Sequence, residues 1–588
     1  MEEKQSIIAP GGACQPLSLL ILLLFCLALY AAFLPMPELR ASDESLYAAI
    51  AGQMITDHQF LSPHFQGMPI RCFPLYPWLA ALSSMLFPAP SWGEPLSAAA
   101  VRLPALLSLA GIALVAGTAA CRYRSRNAGV MTAAIVLGCM ASLKVGLTAQ
   151  NETLHAFLLT TAWFLWYELG QQRQKWSLAW GLSLGVVFID MLNTGLAAPV
   201  QFYIPLLCAT RPPRLKRQLQ KGRHLFWAIF YAFIFAVWVI RFCNQPVFSW
   251  DSAIAQAGGV SGGGFFRHLF VFPAKCLLYL LPWGIFFWAP FCLALHPLEP
   301  RGSCCSFFRA VVFCLAICAW LSPRSSPLSL LTVLGPMAFL TSMNAELIIH
   351  RNERLFRRIG QWLAGAAVAA SLAAALFCAG AATGHIRIGD HPAGENQLLL
   401  AAMAMLPLAA ALAAALENRR PRPPAMGITI AAMAIVLSWR CVAMTTTCLA
   451  VPDRTYAARQ LLESSRRLAP DDHPQLLYIA TGRAYPVQCH LLGVPVRRIS
   501  QPSDELPDDA PVVYLLSNQH PLAKKRNWTA ISAEVDMNAL RDWHYALPDG
   551  DRTPLTITRQ PIPDDMAREY PRYLPPEKCR LYRGTLIN

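Results

Sequence analysis

The chain has 588 residues, of which 55% are hydrophobic and only 14% are charged, and this composition excludes a single soluble globular domain. Its formal net charge of +15 comes without a helix-turn-helix or zinc-finger pattern, which argues against binding to nucleic acid. Apolar runs of about 20 residues recur along most of the sequence, and each is long enough to cross a bilayer. The sequence therefore predicts an α-helical polytopic membrane protein.

About 13 membrane helices are predicted between residues 15 and 450, after a short tail of residues 1–14. The division of residues 177–209 into two spans at Asp190 to Asn193 rests on the polar residues there. The predicted spans are residues 15–35, 98–120, 128–147, 153–169, 177–190, 194–209, 225–243, 269–296, 307–321, 328–346, 361–380, 397–416 and 425–449.

Basic residues alternate between the loops that join these spans. Arg and Lys cluster in every second loop, beginning with the loop after the second span, and the loops between are nearly free of them. Because cytoplasmic loops carry the excess of Lys and Arg, this pattern predicts a cytoplasmic N-terminus. Most of the positive charge is then explained by topology.

An acidic pair follows the first predicted span, in the segment Ser-Asp-Glu-Ser-Leu-Tyr-Ala that contains Asp43, Glu44 and Tyr47. Carboxylates at the end of a membrane helix are costly and therefore indicate a function, although capping the next helix is a simpler alternative. The pair lies in a polar stretch, residues 36–97, that is rich in aromatic residues and proline. We predict an outer loop there, with amphipathic helices on the membrane surface.

Two further motifs follow in order. Pro-Leu-Tyr-Pro-Trp contains Tyr76 and Trp78, and Val-Arg-Leu-Pro, which contains Arg102, opens the second span. Together with the acidic pair, these motifs resemble the start of the lipid-dependent C-type membrane glycosyltransferases (GT-C). The branch they resemble contains the protein mannosyltransferases and the aminoarabinose transferase of lipid A. The resemblance implies catalytic roles for Asp43 and Glu44, and substrate contacts for Tyr47, Tyr76, Trp78 and Arg102.

The chain departs from those families at one motif position. They carry Lys-Pro-Pro-Leu-Tyr-x-Trp, and its Lys falls on Cys72 here. A thiol supplies no fixed positive charge, so the adjacent Arg71 is predicted to take the substrate-binding role of that Lys. Without such a replacement the chain would be a divergent or inactive relative.

The same resemblance assigns residues farther along. Glu152 is the counterpart of a second family acid, with Asn151 as the alternative aligned position, and the neighbouring His155 is interpreted as a packing residue. At Asp190 to Asn193 the chain lacks the Lys of a family Thr-Lys-Gly-Pro, which weakens a phosphate-binding role for that turn. Substrate-binding roles are predicted for Arg267, His268, Lys275 and Arg324.

Residues 451–588 are no longer apolar and are predicted to form a small α/β domain outside the cytoplasm. Strands are predicted at residues 476–480, 494–499 and 512–516, and a short helix at residues 482–492. The resemblance implies a similar C-terminal domain in the lipid A branch.

Ionisable residues in or beside the spans support a working site independently of the resemblance. In the predicted topology they all lie toward the outer face, and buried charge in a membrane usually faces a cavity. We predict glycosyl transfer from a polyprenyl-phosphate sugar to a lipid or protein hydroxyl, with Asp43 as base and basic residues around the leaving phosphate. Carboxylates can also hold a divalent cation, and the sequence does not decide whether the reaction uses one. These ionisable residues are Asp43, Glu152, Asp190, Lys275, Arg324 and Arg440.

Two alternatives come from other functional classes. A transporter or flippase for a lipid-linked substrate would show inverted repeats and broken helices at the midplane, and no internal repeat is evident. An inactive relative that binds membrane lipids is the other alternative. The large first outer loop and the outer α/β domain favour the enzyme.

Overall fold

The computed structural model of the protein describes most of the predicted membrane region and the strands of the C-terminal region. The described residues are 30–34, 43–58, 60–61, 63–65, 68–69, 73–87, 96–145, 148–209, 219, 221–242, 262–299, 302–322, 327–385, 395–419, 424–450, 477–480, 496–498, 512–517, 526–530, 535–536 and 578–586.

The chain divides into two compact units, each built from several segments. The first unit comprises Met1–Leu34, Ala105–Arg241 and Phe248–Ala450. The second unit comprises Pro35–Pro104, Phe242–Val247 and Val451–Asn588. The acidic pair and the two motifs that follow it therefore belong to the second unit.

Helices make up most of the described chain. A π-helical turn, Trp166–Gln172, directly follows the helix that ends at Leu165. The α-helices are α1 (Asp43–Asp57), α2 (Leu75–Ser84), α3 (Ala98–Tyr123), α4 (Arg126–Gly138), α5 (Met140–Val145), α6 (Asn151–Leu165), α7 (Trp176–Thr194), α8 (Ala197–Ala209), α9 (Gly222–Phe242), α10 (Gly262–Tyr279), α11 (Gly302–Leu321), α12 (Leu331–Arg351), α13 (Glu353–Ala382), α14 (Glu395–Met403), α15 (Met405–Glu417) and α16 (Ala425–Ala450).

Eight helices of the described part of the chain are long and apolar enough to cross a membrane, so the protein is a multi-pass membrane protein. The count of thirteen stays a prediction, because the first predicted span lies mostly outside the described residues. These eight helices are Ala98–Tyr123, Trp176–Thr194, Gly222–Ile240, Gly302–Leu321, Leu331–Ile349, Glu353–Ala382, Leu398–Glu417 and Ala425–Thr446.

Several predicted spans are interrupted rather than continuous. The span predicted at residues 128–147 is broken at Cys139, whose extended backbone separates α4 from α5. The span predicted at residues 269–296 is regular only to Tyr279, and short 3₁₀ turns follow it. Prolines at positions 282, 290 and 297 account for this, because proline removes a helix hydrogen bond and clashes with the preceding turn.

A sharp corner at Gly195 joins α7 to α8. The predicted division of this region is confirmed, but α7 continues past Asp190 and Asn193 and stops only at Thr194. Gly195 has φ 66° and ψ −141°, a backbone conformation that essentially only glycine adopts without strain. The corner places the last turn of α7 beside the first turn of α8.

Replacing Gly195 by Ala is expected to lower the thermal midpoint of the purified protein, because the added Cβ strains this corner by about 1–3 kcal/mol. Gly365→Ala is the matched control, since a Cβ at that position in α13 would meet no atom within 4 Å. Alanine also has the higher helix propensity, so the control should be neutral or stabilising. Equal midpoints for the two variants would contradict this account of the corner.

Carboxylates tie together the helix ends that precede basic loops in the first unit. Glu168 accepts hydrogen bonds from Arg122 Nη1 at 2.7 Å and from Arg173 Nε at 3.1 Å. Glu346, near the end of α12, accepts from Arg124 Nε at 3.2 Å. The ends of α3, the π-helical turn and α12 therefore lie at one side, as the alternation of basic loops predicts.

Aromatic and small side chains form the core between α6, α11 and α12. The Phe164 and Phe308 rings stack with centroids 4.3 Å apart, and Phe339 meets Phe164 edge-on at 5.5 Å. A Cβ added at Gly335 would lie only 2.7 Å from Thr160 Cγ2, so glycine permits this close approach of α12 to α6. This packing fixes α6, which carries Glu152 at its start.

The C-terminal region contributes a mixed β-sheet to the second unit. Its strands are β3 (Leu477–Ala480), β4 (Val496–Arg498), β5 (Val512–Ser517), β6 (Arg526–Ala530), β7 (Val535–Asp536) and β8 (Lys578–Leu586), after a short hairpin of β1 (His64–Phe65) and β2 (Met68–Pro69).

The strand order of this sheet is β4-β3-β5-β8-β6, and β7 also pairs with β8. β3 is parallel to β4 and β5, whereas β8 is antiparallel to β5, β6 and β7. The three predicted strands are confirmed as β3, β4 and β5. The helix predicted at residues 482–492 lies outside the described residues.

Candidate active site

A buried ion pair joins the acidic motif to the start of the second predicted span. Arg102 Nε lies 3.0 Å from Glu44 Oε1, and Arg102 Nη2 lies 3.0 Å from Glu44 Oε2. The two side chains are only 3% and 1% exposed. Two parallel N–H···O bonds fix both position and orientation. Two motifs 58 residues apart in sequence thus meet in the second unit.

The tyrosine motif packs against the same helix starts. Tyr76 Oη donates to the carbonyl oxygen of Val101 at 3.1 Å, one residue before Arg102. The Tyr76 ring lies 4.9 Å from that of Tyr47, measured between centroids, so the predicted substrate-binding tyrosines are in contact. All three motifs behind the resemblance therefore converge on one cluster around Glu44 and Arg102.

Of the remaining motif residues, the structure describes the side chain of Trp78 but not those of Asp43, Arg71 and Cys72. Trp78 Nε1 donates to the carbonyl oxygen of Phe60 at 2.5 Å, which fastens α2 to the chain that follows α1. Asp43 is the first residue of α1, and its side chain lies outside the part of the chain that the structure describes. Arg71, Cys72 and Arg324 also lie outside the described residues.

A second polar cluster lies in the first unit, at the start of α6. Glu152 is in the first turn of this helix and is half-buried. His155, one turn later, is buried and places Nδ1 2.6 Å from Asp190 Oδ2 and Nε2 3.1 Å from Gln201 Oε1. Asn193 Nδ2 donates to the carbonyl oxygen of Asn151 at 3.1 Å. Side chains from α7 and α8 thus hold the first turn of α6.

Sequence reasoning placed His155 inside the protein but missed its partners. The sequence singles out Asp190 as an ionisable residue and as part of the polar turn that ends at Asn193, but it does not pair Asp190 with His155, and it does not single out Gln201. The signal that could have indicated Gln201 is its isolation: it is a lone amide in a largely apolar helix. Such a group requires a hydrogen-bond partner when it is buried. Its partner could not be read from the sequence, because it lies on another helix.

The predicted basic residues of α10 are differently exposed. Arg267 and Lys275 are exposed, and eight residues of α-helix separate them by about 12 Å along the axis. The His268 ring is half-buried against Phe272, with centroids 4.8 Å apart. Trp320 Nε1 donates to the Leu269 carbonyl oxygen at 2.8 Å and fastens α10 to α11.

No cluster of three or more His, Cys, Asp or Glu side chains suited to a metal ion occurs among the residues that the structure describes. The acids there are instead engaged with protein groups, Glu44 with Arg102 and Asp190 with His155.

No family model matches the chain. Among solved structures, ArnT from Cupriavidus metallidurans bound to undecaprenyl phosphate has a TM-score of 0.64 to this chain at 13% identity. The match covers 97% of this chain and 98% of that one. The chain has the ArnT fold. The apo state of the same ArnT gives a TM-score of 0.59 at 14% identity, covering 96% of this chain and 97% of that chain.

A sequence relative of known activity agrees with the ArnT fold. The undecaprenyl phosphate-alpha-4-amino-4-deoxy-L-arabinose arabinosyl transferase 2 of Sodalis glossinidius (strain morsitans) is 27% identical over 176 residues. That match covers 29% of this chain, and it spans only 31% of the relative's own length. The resemblance to the GT-C transferases predicted from the three motifs is confirmed.

Within the ArnT fold of this chain, the predicted site residues fall into two described groups. In the second unit Arg102 pairs with Glu44, Tyr76 donates to the carbonyl oxygen of the residue before Arg102, and the Tyr47 ring lies against that of Tyr76. The first unit carries Glu152 on a helix start that is held by neighbouring helices. The structure thus brings together one or two residues from each of the three motifs, namely Glu44, Tyr47, Tyr76 and Arg102.

Proposed function

We propose that the protein is an integral membrane glycosyltransferase that moves a sugar from a polyprenyl-phosphate donor to a hydroxyl group of a lipid or protein acceptor. The observation that carries this proposal is the convergence of the three motifs on the buried Glu44–Arg102 pair. A solvated loop would not keep a bidentate ion pair buried, because removing two charges from water costs several kcal/mol per ion. The ArnT fold and the arabinosyl transferase relative support the same reaction class.

In the proposed reaction, Asp43 acts as the general base. Its carboxylate removes the proton of the acceptor hydroxyl while that oxygen attacks the anomeric carbon of the donor sugar. The bond between this carbon and the phosphate oxygen breaks, and the lipid phosphate leaves with the electron pair. The proton on Asp43 then passes to solvent, which restores the carboxylate for the next turnover.

The leaving phosphate needs positive charge close to its oxygens. Arg71 is the proposed replacement for the family Lys, and Arg267, His268, Lys275 and Arg324 are further candidates. Arg267 and Lys275 are both exposed on α10, so their side chains are accessible to an anionic lipid. Glu152 is proposed as the second carboxylate of the reaction, in line with the resemblance.

The proposed location is the outer face of the inner membrane, with residues 36–97 and the C-terminal domain outside the cytoplasm. No nucleotide-activated sugar is available on that side, so a lipid-borne donor is required. The ion pairs at the opposite helix ends support this orientation, because they gather the basic loops on one side. The acceptor is a lipid A-like lipid or a protein, and the test separates the two.

Purified protein in liposomes, supplied with an undecaprenyl-phosphate-linked aminoarabinose or hexose, is expected to add one sugar to an acceptor. Lipid A and a serine-rich peptide are offered in separate reactions, and mass spectrometry identifies the product. Transfer to neither acceptor, combined with passage of the donor lipid across the bilayer, would overturn the proposal in favour of a flippase. Absence of both activities would favour an inactive relative.

A further inference from the structure

The start of α6, the end of α7 and the start of α8 are joined by a buried polar network that has no part in the reaction proposed above. His155 and Asp190 lie at its centre, 6% and 0% exposed, with Nδ1 and Oδ2 2.6 Å apart. Thr194 Oγ1 lies 3.4 Å from His155 Nδ1 and donates to the carbonyl oxygen of Asp190. Gln201 adds a contact from α8 at 3.1 Å. Three helix ends are thus linked through one imidazole ring.

The ring chemistry makes the Asp190 contact the strong one. Both ring nitrogens face oxygen atoms, and two donors require the imidazolium form. If the Gln201 amide is turned by 180°, a neutral ring suffices, with Nδ1–H still donating to Asp190 and Nε2 accepting. In either form Nδ1 donates to a carboxylate, which is a charge-assisted hydrogen bond.

Helix α6 depends on this link because its own start is weakly capped. The N-cap residue is Gln150, which makes no side-chain capping bond and is not a preferred N-cap type. The first four N–H groups of a helix lack intrahelical partners, so an uncapped first turn frays readily. Here two bonds from α7 hold that turn instead, Asn193 Nδ2 to the Asn151 carbonyl and Asp190 to His155.

Glu152 lies between these two attachment points. Residues three apart on a helix are neighbours on one face, about 5–6 Å apart at Cβ, so His155 is the side chain one turn below Glu152. A purely structural role explains the network poorly, because two apolar residues of similar volume at 155 and 190 would be as stable as a buried ion pair. The network instead supplies a fixed direction for the first turn of α6.

We propose that His155, held by Asp190, is a positioning residue that fixes Glu152 for sugar transfer. This role rests on the proposed function, since it acts through a carboxylate assigned to that reaction. A misplacement of about 1 Å can cost about a hundred-fold in rate without changing how tightly the substrate binds. Loss of the link should therefore lower kcat and leave KM nearly unchanged.

Two amide substitutions separate positioning from packing. In His155→Asn the side-chain NH₂ takes the place of Nδ1 and still donates to Asp190, whereas in His155→Gln it takes the place of Nε2 and loses that bond. His155→Gln is expected to lower kcat about ten- to hundred-fold with KM within about two-fold. His155→Asn is expected to keep most of the wild-type kcat.

His224→Gln is the matched control. His224 is also buried, but it belongs to α9, and its contacts among the described residues are with Tyr203 Oη at 2.8 Å, the Leu219 carbonyl oxygen and the Trp180 ring rather than with α6. Its substitution should leave kcat and KM unchanged. Asn193→Ala is the second test variant if His155→Gln does not fold, because it removes the hydrogen bond from Asn193 to the start of α6 without leaving a buried charge. It too should lower kcat at unchanged KM.

Amide hydrogen exchange gives a readout that does not depend on activity. Residues 151–155 should exchange faster in His155→Gln and Asn193→Ala than in the wild type, His155→Asn or His224→Gln. The positioning role is overturned if the two His155 variants have equal kcat, if the loss is in KM, or if exchange at residues 151–155 is unchanged. An inactive wild type with the expected exchange pattern would overturn the proposed function, and the role of His155 would then be limited to holding the start of α6.

Discussion

Asp43→Asn is expected to abolish sugar transfer and to leave the protein folded in the membrane. An amide has the shape of a carboxylate but cannot take up the hydroxyl proton. Removing a general base typically costs about 10²–10⁴-fold in rate. The measurement is the initial rate of product formation in liposomes, normalised to the protein that elutes as a folded peak in detergent.

Glu353→Gln provides the matching carboxylate-to-amide control. Glu353 pairs with Arg357 four residues later on α13, and its side chain is 44% exposed. Such exposed pairs contribute little, so the control should keep wild-type turnover. Normal turnover in Asp43→Asn would remove Asp43 from the mechanism and make Glu152 the candidate base.

Arg102→Ala is expected to lower the stability of the protein more than Gly195→Ala or Arg122→Ala does. It leaves the Glu44 carboxylate buried without its cation, and breaking a buried pair in this way costs about 3–5 kcal/mol. Arg102→Lys should lose part of the stability, because Lys is a point charge and cannot form the two parallel bonds. Thermal unfolding in detergent micelles measures both effects.

A double variant separates a structural role of Arg102 from the predicted substrate contact. Glu44→Gln combined with Arg102→Met removes both charges and should recover most of the midpoint lost in Arg102→Ala. If it also recovers transfer, Arg102 acts by holding α1 to α3; if KM for the donor stays raised, Arg102 contacts substrate as predicted.

Arg122→Ala is the control for the stability measurement, since Arg122 is 58% exposed and its pair with Glu168 should contribute about 0–1 kcal/mol. A midpoint for Arg102→Ala no lower than that of Arg122→Ala would contradict the buried-pair account.

The sequence predicted the parts of the fold and site that depend on local pattern. Hydropathy located most of the helices from residue 98 onward, and the short apolar run at residues 512–516 located the strand Val512–Ser517. The ordered motifs predicted the GT-C fold. Their order carried the information, because each motif alone is short and common.

What the sequence did not predict depends on contacts between distant helices. Glu44 and Arg102 were both singled out, but nothing local showed that they neutralise each other across 58 residues. The partner of His155 on α7 was equally hidden. The break at Cys139 was missed because the residues around it are apolar, and hydropathy reports burial rather than backbone direction.

The central place of β8 in the C-terminal sheet has a consequence for biogenesis. β5 and β6 both depend on β8 for an antiparallel partner, and the paired residues Leu515 and Tyr582 are far apart in the sequence. Contacts between distant residues form slowly, because the closure of a long loop must come first. Until then one edge of β5 presents unpaired backbone groups that can join the strands of other molecules. Overproduction should therefore fail first by aggregation of this sheet, and slower synthesis at low temperature should raise the yield more than stabilising the membrane helices would.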